Sequence, residues 1–363
     1  MEPKKTPFYQ KHVDAGAKMV EFAGYMMPIQ FKGITSEHLA VRENVGLFDL
    51  THMGEFLVTG NDALDFMQKV TTNNVEALKV GDIQYSCMTQ EDGGFVDDLL
   101  VYNRPEGYFL VVNASNLEKD YNWLQDHLFG DVTLTDNSDN TALLAIQGPN
   151  AIKVMAELTD YDLDNMRYYT SAKHKVGGED VLFSRTGYTG EDGFEIYMPY
   201  DKAGNIWKAV NDAGAKHGME QIGLGARDSL RLEMKMALYG NDMDETINPI
   251  EAGLSWIVNL NKEFIGKDVI AKVKAEKPSR RLVCLEIEGR AFPRHGYDIY
   301  VDNKKAGHVT SGTFSPSLKK PIALGYVPRS HSKSGSSVEI EIRGKRFPAT
   351  VVKPPFYKDA SHK

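Results

Sequence analysis

The spacing of apolar and polar residues along this chain changes period more than once, and the changes mark its organisation. In "TSEHLAVRENVG", from Thr35, apolar residues at Leu39, Val41 and Val45 form a stripe that predicts a helix, with Thr35 as its cap. From 54 to 140 strand and helix patterns alternate. "GEFLVTG" reads as a strand and "NDALDFMQKV" as a helix. "IQYSCM" and "FVDDLLVYN" read as strands around "TQEDGG", a hairpin with Asp92-Gly93 at its turn. "GYFLVVNASNLEKDYNWLQDHL" runs from strand into helix, and Ser115 and Glu118 have the S-x-x-E capping-box spacing.

A similar order recurs over 141–240: the strand "TALLAIQG", the helix "NAIKVMAEL", the hairpin "VLFSRTGYTGEDGFEIYMP", then helices at "DKAGNIWKAVNDAGAKHG" and "GLGARDSLRLEMKMALYG". The charged, Pro-containing "KAEKPSRR" (274–281) is the best linker. Beyond it short alternating runs, such as "RLVCLEIEG", "GYDIYV" and "SSVEIEIRGKRFPATVV", are split by Gly, Asp and Asn. That texture predicts a small β-barrel or sandwich. The expected fold class is therefore α+β followed by an all-β module.

With 363 residues the chain can form two or three domains with real cores. A net charge of −8 argues against a general nucleic-acid binder, which needs a basic face. No apolar run approaches the length of a membrane span, and the first residues lack the apolar core of a secretory signal, so a soluble, cytoplasmic protein is expected. Cys87 and Cys284 have no metal or redox spacing and read as reduced, half-buried strand residues. Walker A, HExxH and GxSxG motifs are missing, and "GLGARD" holds only part of a dinucleotide fingerprint. Any chemistry must use scattered polar side chains.

Several such side chains stand out. In "FVDDLLVYN" Asp97 and Asp98 point to opposite faces of a strand, with Val96, Asp98, Leu100 and Tyr102 on one side and Asp97, Leu99, Val101 and Asn103 on the other. Both faces are otherwise apolar, so at least one Asp is a polar intrusion into a buried sheet, which is costly without partners. Alternation does not choose between them, and a structural Asp bonding backbone amides is an equal reading. In "SRTGYTGEDGFEIY" Tyr188 ends one strand and Glu195 begins the next, with "TGEDG" as a turn. An apolar-flanked Glu there suits a ligand with two parallel N–H donors; a solvated strand face is the competing reading. Arg227 lies near a helix start, where the helix dipole disfavours a cation, so it answers a carboxylate (Asp228, Glu195 or Glu233) or a ligand. Asn113 ends a strand just before a helix, a common binding position as well as ordinary turn chemistry. His52 and Met53 fit packing as well as chemistry. Tyr85, Asp98, Tyr102, Asn113, Tyr188, Glu195 and Arg227 together could line a pocket for a flat heteroaromatic ligand, with no metal set and no nucleophile–base pair.

"HMGEF", "IQYSCM", "GGFVDDLLVYN", "VVNASNLEKD", "SRTGYTGEDGFE", "GLGARDSLRLE" and "NPIEAGLSWIV", in this order, resemble the aminomethyltransferase (glycine cleavage T-protein) family over nearly the whole chain. The resemblance implies a three-domain clover-leaf of two α+β domains and a C-terminal β-barrel, with tetrahydrofolate in a central cavity. It implies domains at 1–50 plus 141–273, at 51–140 and at 274–363. The implied reaction moves a methylene carbon from the aminomethyl-lipoyl arm of H protein to tetrahydrofolate, with release of ammonia and without metal or flavin. The family's key aspartate matches Asp98. Glu195 would read the pterin, Arg227 would hold another edge of it or Glu195, and Met53, Tyr85, Tyr102, Asn113 and Tyr188 would line the site. Relatives can carry a C-terminal Arg toward the folate tail; here "KPPFYKDASHK" has Lys358 and Lys363, which supply charge without the bidentate fork. Arg294 is a candidate contact for an acidic H protein. The same scaffold serves folate-dependent demethylases, whose oxidative forms add a flavin domain, and a non-catalytic group marked by a K-G-C-Y signature; neither feature is in this sequence.

Overall fold

The computed structural model describes residues 2–362. Two antiparallel-rich sheets face each other, and their strand alternation sorts side chains between a shared core and separate helix-covered cores. The first sheet has six strands in the order Ser171–Val176, Glu179–Ser184, Gly193–Pro199, Thr141–Gln147, Gly46–Asp49 and Glu220–Gln221. The second has five, in the order Ile83–Thr89, Phe95–Arg104, Gly107–Val112, Gly54–Thr59 and Thr133–Asp136. Leu144 and Ile146 pack under the helices Ala151–Ala156 and Ala203–Ala215, whereas Leu143 and Ala145 of the same strand face the second sheet. In the second sheet Leu99 and Val101 pack against the helix Ala63–Val70, and Leu100 and Tyr102 face the first sheet. Period-two alternation thus builds three layers of core from two sheets.

The last part of the chain closes into a six-stranded barrel: Arg280–Ile287, Lys320–Pro328, Lys304–Ser315, Asp298–Val301, Ser337–Ile342 and Lys345–Val352. Closure removes the exposed edges that such short strands would leave. The helix Lys267–Glu276 runs into the expected linker and confines it to 277–279. Before that helix, Asn259 and Ile265 donate backbone bonds to the carbonyls of Thr72 and Lys69, so this stretch lies against the second sheet's unit. Among the described residues no helix is long and apolar enough to cross a membrane.

Some local expectations differ from the structure. The helix at 35–46 is Ile34–Glu43 with Gly33 at its N-cap, not Thr35; the side chain of Glu37 takes up the free N–H groups of Phe31, Lys32 and Gly33 instead. Ser115 and Glu118 are both exposed and form no capping box, because Ala114–Asn116 is a turn of 3₁₀ helix and Asn116 takes the cap position. The helix at 223–240 stops at Glu233. Both cysteines are fully buried, not half-buried, and burial pushes each thiol up to about 12.

Glu233 is the knot between units. Its buried carboxylate accepts bonds from His38 (3.1 Å), Arg42 (3.0 Å), and the hydroxyls of Ser315 and Ser317, and its main-chain carbonyl accepts from Phe356 and Tyr357. Burial alone would raise its pKa, but the His38 and Arg42 contacts outweigh this and bring it down to about 2. Its stabilisation is present above the ordinary carboxylate pKa and is lost as pH falls toward 2. Glu233→Ala should cost about 3–5 kcal/mol in urea unfolding near neutral pH, with a smaller difference in acid.

Candidate active site

Asp98 and Asp97 part at the strand Phe95–Arg104. A bulge opposite Met88 and Thr89 leaves Val96 without a partner. Val96 therefore joins the helix-side core with Leu99 and Val101, contrary to the simple alternation that placed it beside Asp98. Asp98 shares the inter-sheet side with Leu100 and Tyr102; Asp97 is fully buried on the helix side. Asp98 Oδ2 accepts the Tyr85 hydroxyl at 2.8 Å, and Oδ1 accepts Asn113 Nδ2 at 2.9 Å. Tyr85 is placed by its strand, where Cys87 pairs with Asp98, and Asn113 by the end of the next strand, where Val112 pairs with Leu99. Asp98 lies deep but keeps some surface open, as a cavity wall does. Burial first, and the Asp97 charge second, raise its pKa to about 7, while Tyr85 and Asn113 pull the other way.

The facing wall comes from the strand Gly193–Pro199. Phe194 and Ile196 point into the helix-covered core, which turns Glu195 and Tyr197 toward the second sheet. Glu195 Oε2 accepts Thr186 Oγ1 at 2.6 Å and the Tyr197 hydroxyl at 3.3 Å; among the described residues nothing donates to Oε1. Burial raises the Glu195 pKa, opposed by Thr186 and by the Arg227 charge. The hairpin is not the tight turn expected. Its first strand ends at Ser184, and Tyr188 sits in the loop 185–192, which the bidentate Arg185–Asp192 pair (2.8 and 2.7 Å) closes. Tyr188 donates its hydroxyl to the Ala237 carbonyl and offers its ring to Arg227, whose guanidinium carbon is 4.7 Å from the ring centroid.

The Arg227 guanidinium makes no hydrogen bond and no ion pair within 4 Å among the described residues; its main-chain N–H bonds the Gly223 carbonyl. Of the carboxylates expected to hold it, Asp228 pairs with Arg231 and Glu233 with Arg42 and His38, while Glu195 lies beyond that distance. Burial lowers its pKa, opposed by Tyr188 and Glu195. A half-buried guanidinium whose N–H groups bond nothing in the protein adds little to the stability of the fold. Arg227→Leu should therefore leave the melting temperature unchanged or raise it; a clearly lower melting temperature would make Arg227 structural.

Tyr85, Asp98 and Asn113 thus meet on one wall, and Tyr188, Glu195 and Arg227 on the other. Met53 is half-buried at the inter-sheet core. Tyr102 differs from expectation: it has no exposed surface, and its hydroxyl bonds that of Tyr197 at 2.8 Å, so it stands behind Glu195 rather than at an open surface. His52 is buried against Phe22, and burial with the Arg227 charge lowers it to about 4, so it packs as a neutral ring. Sequence reading missed Tyr169, which packs half-buried against the inter-sheet core, whose ionisation is pushed up by burial first and then by the Glu195 and Asp98 charges, and whose backbone is left-handed (φ 60°). The paired tyrosines of "RYYT" in an otherwise unassigned loop were its only signal. Arg294 is exposed beside Phe292. Lys358 is exposed and lies along the Lys353 and Pro354 carbonyls, and Lys363 lies outside the described residues. A cleft of about 610 Å³ between Lys69, Phe129 and Phe264 gathers no comparable set of buried polar groups.

Residues 8–262 match the GCVT N-terminal domain, and residues 280–358 match the glycine cleavage T-protein C-terminal barrel domain. The chain belongs to the glycine cleavage T-protein family. A Bacteroides fragilis aminomethyltransferase is 54% identical over 98% of this chain and 100% of its own length. One from a Geobacillus species is 48% identical over 98% of this chain and 99% of its own. The crystal structure of the glycine cleavage system aminomethyltransferase T from Bartonella henselae superposes with a TM-score of 0.92 at 35% identity, covering 98% of this chain and 99% of that one. Mixed α/β units followed by a closed barrel are thus the family architecture, and the chain is a folate-dependent transferase of the aminomethyltransferase class.

Proposed function

We propose that the chain takes the methylene carbon of an aminomethyl group on the lipoyl arm of H protein, passes it to tetrahydrofolate, and releases ammonia and the dihydrolipoyl arm. The product is 5,10-methylenetetrahydrofolate. The observation that carries this reading is the buried, adjustable carboxylate of Asp98, clamped by Tyr85 and Asn113 and facing a second wall with unused polar capacity. That capacity fits a pterin. Glu195 Oε1 can accept from its amino and ring N–H groups, and the Arg227 guanidinium, stacked on Tyr188 with no hydrogen bond among the described residues, can donate to its acceptors.

Asp98 would orient the reacting nitrogens and stabilise positive charge as it develops on the methylene-bearing atoms. Tyr85 and Asn113 hold both of its oxygens, which limits reorganisation during transfer. Tyr188 positions Arg227, and Met53 supplies apolar surface. Three working units, 1–50 plus 141–273, 51–140 and 274–363, would enclose this space; the two sheets and the barrel support such a division. Arg294 on the exposed barrel loop would meet an acidic H protein in the cytoplasm.

The deciding assay mixes aminomethyl-loaded H protein and tetrahydrofolate with and without the chain. Ammonia and methylenetetrahydrofolate should appear together, and only with the chain present. Folate binding without product would overturn the reading and direct the search to methylated amines.

A further inference from the structure

Behind Asp98, on the helix side of the same strand, lies a carboxyl pair that the transfer step does not touch. Asp97 is fully buried and accepts from the Asn113 main-chain N–H (3.2 Å), Asn113 Nδ2 (2.9 Å) and Asn116 Nδ2 (2.8 Å). Asp120, on the helix Leu117–Asp126, is also fully buried, and neither of its oxygens receives an N–H or O–H bond from the described residues. The Lys119 ammonium stays 3.7 Å away and bonds the Val96 carbonyl instead. Asp120 lies one helical turn beyond Asn116, whose side chain bonds Asp97, so both carboxyl groups sit on the same helix face, and Asp97 is the charge that weighs most on Asp120.

Two carboxylates cannot hydrogen-bond each other unless one carries a proton. Asp97 already accepts three N–H groups. Asp120 has none, and a buried carboxylate without donors is strongly disfavoured. The proton therefore belongs on Asp120; burial first and Asp97 second push its pKa up to about 11. Asn113 transmits this arrangement, since its Nδ2 reaches Oδ1 of both Asp97 and Asp98 at 2.9 Å.

We propose that Asp120 is a neutral carboxylic acid in the working protein, that it donates its proton to Asp97, and that the pair acts as a positioning device for Asp98 through the Asn113 amide. Its effect on transfer rests on the reading of Asp98 given above. By withholding its charge Asp120 leaves Asp98 with one anionic neighbour instead of two, so that Asp98 can ionise near neutrality. The other titratable groups near the cluster do not disturb this. Tyr85 and Cys87 on the adjoining strand, Tyr169 and Tyr188 on the opposite unit, and Tyr239 beside Lys119 all have their ionisation pushed upward, burial being the first cause. Among the described residues Lys119 is the cation paired with Asp120, and it is itself exposed.

The test uses the full chain and the Asp120→Asn and Asp97→Asn variants. Infrared difference spectra at about pH 8 should show a protonated-carboxyl band in the parent that is missing in Asp120→Asn, since an ordinary carboxyl is fully ionised there. The acid limb of single-turnover methylene transfer should not move in Asp120→Asn, because an amide replaces a neutral acid. In Asp97→Asn it should move to lower pH by about one unit, because a real charge beside Asp98 is removed. Absence of the band, or a downward shift in Asp120→Asn as large as that in Asp97→Asn, would show that Asp120 is charged and overturn the proposal. If Asp97→Asn does not fold, the Asp120→Asn band and profile decide alone. The infrared result is independent of the role given to Asp98, so failure of that role and failure of the shared proton can be told apart.

Discussion

Asp98→Asn is expected to slow methylene transfer by about a thousandfold while changing tetrahydrofolate affinity by less than about threefold. Asparagine is nearly isosteric and keeps one carbonyl oxygen for the Tyr85 hydroxyl or the Asn113 amide, so the wall survives. What it removes is the negative charge opposite the reacting nitrogens. Transfer in the parent should fall as pH drops through about 7, where Asp98 takes up a proton. The stability effect has the opposite slope. Asp98 has a pKa of about 7 when folded and an ordinary value of 3.8, so the folded state binds the proton more tightly. That contribution is complete below the ordinary value and is lost as pH rises through about 7. Asp98→Asn should therefore melt higher than the parent above neutrality, with the difference shrinking in acid. Single-turnover rates, folate titration and melting curves on the same preparations separate the three effects. Equal losses of folate affinity and turnover would show that Asp98 serves binding rather than the transfer step.

Glu195→Ala should weaken tetrahydrofolate by about 10- to 100-fold, the range expected when one charge-assisted contact to a buried ligand is lost. Its effect on stability should be small. Glu195 is a buried acid whose ionised form burial disfavours, and only Thr186 and Tyr197 bond it within the protein. Removing it frees two hydroxyls that have other partners, Ser184 for Thr186 and Tyr102 for Tyr197. Calorimetric titration with folate and urea unfolding test both halves; unchanged folate affinity would remove Glu195 from the binding wall.

Much of the fold could be read from residue patterns because the central strands of both sheets bury two different faces. The runs "TALLAIQG" and "FVDDLLVYN" are apolar on both sides, as strands between two cores must be, and the barrel was marked by short runs with turn residues between them. Boundaries were less legible where tertiary contacts override local signals. Glu37 caps its own helix from the inside, Asn116 displaces Ser115, and the Arg185–Asp192 pair stretches a presumed turn into a loop. Motif order identified the family before any coordinates, and the comparisons agree.

The candidate site was legible as a set of residue types and illegible as an arrangement. The sequence alone determined that an Asp pair, a Glu and an Arg stand where apolar residues would otherwise be, because such intrusions are visible against a regular background. It could not determine which Asp faces the open space, since both faces of that strand are otherwise apolar and both are buried, one under a helix and one against the other sheet. Nor could it show that the Arg227 guanidinium has only the Tyr188 ring against it among the described residues, that Tyr102 stands behind the wall, or that Asp120 is buried with no donor to its carboxyl group. Those facts depend on groups far apart in the chain meeting at low dielectric. There, the presence or absence of one donor decides whether a carboxyl group is an acid or an anion, and only the tertiary structure brings the donors into place.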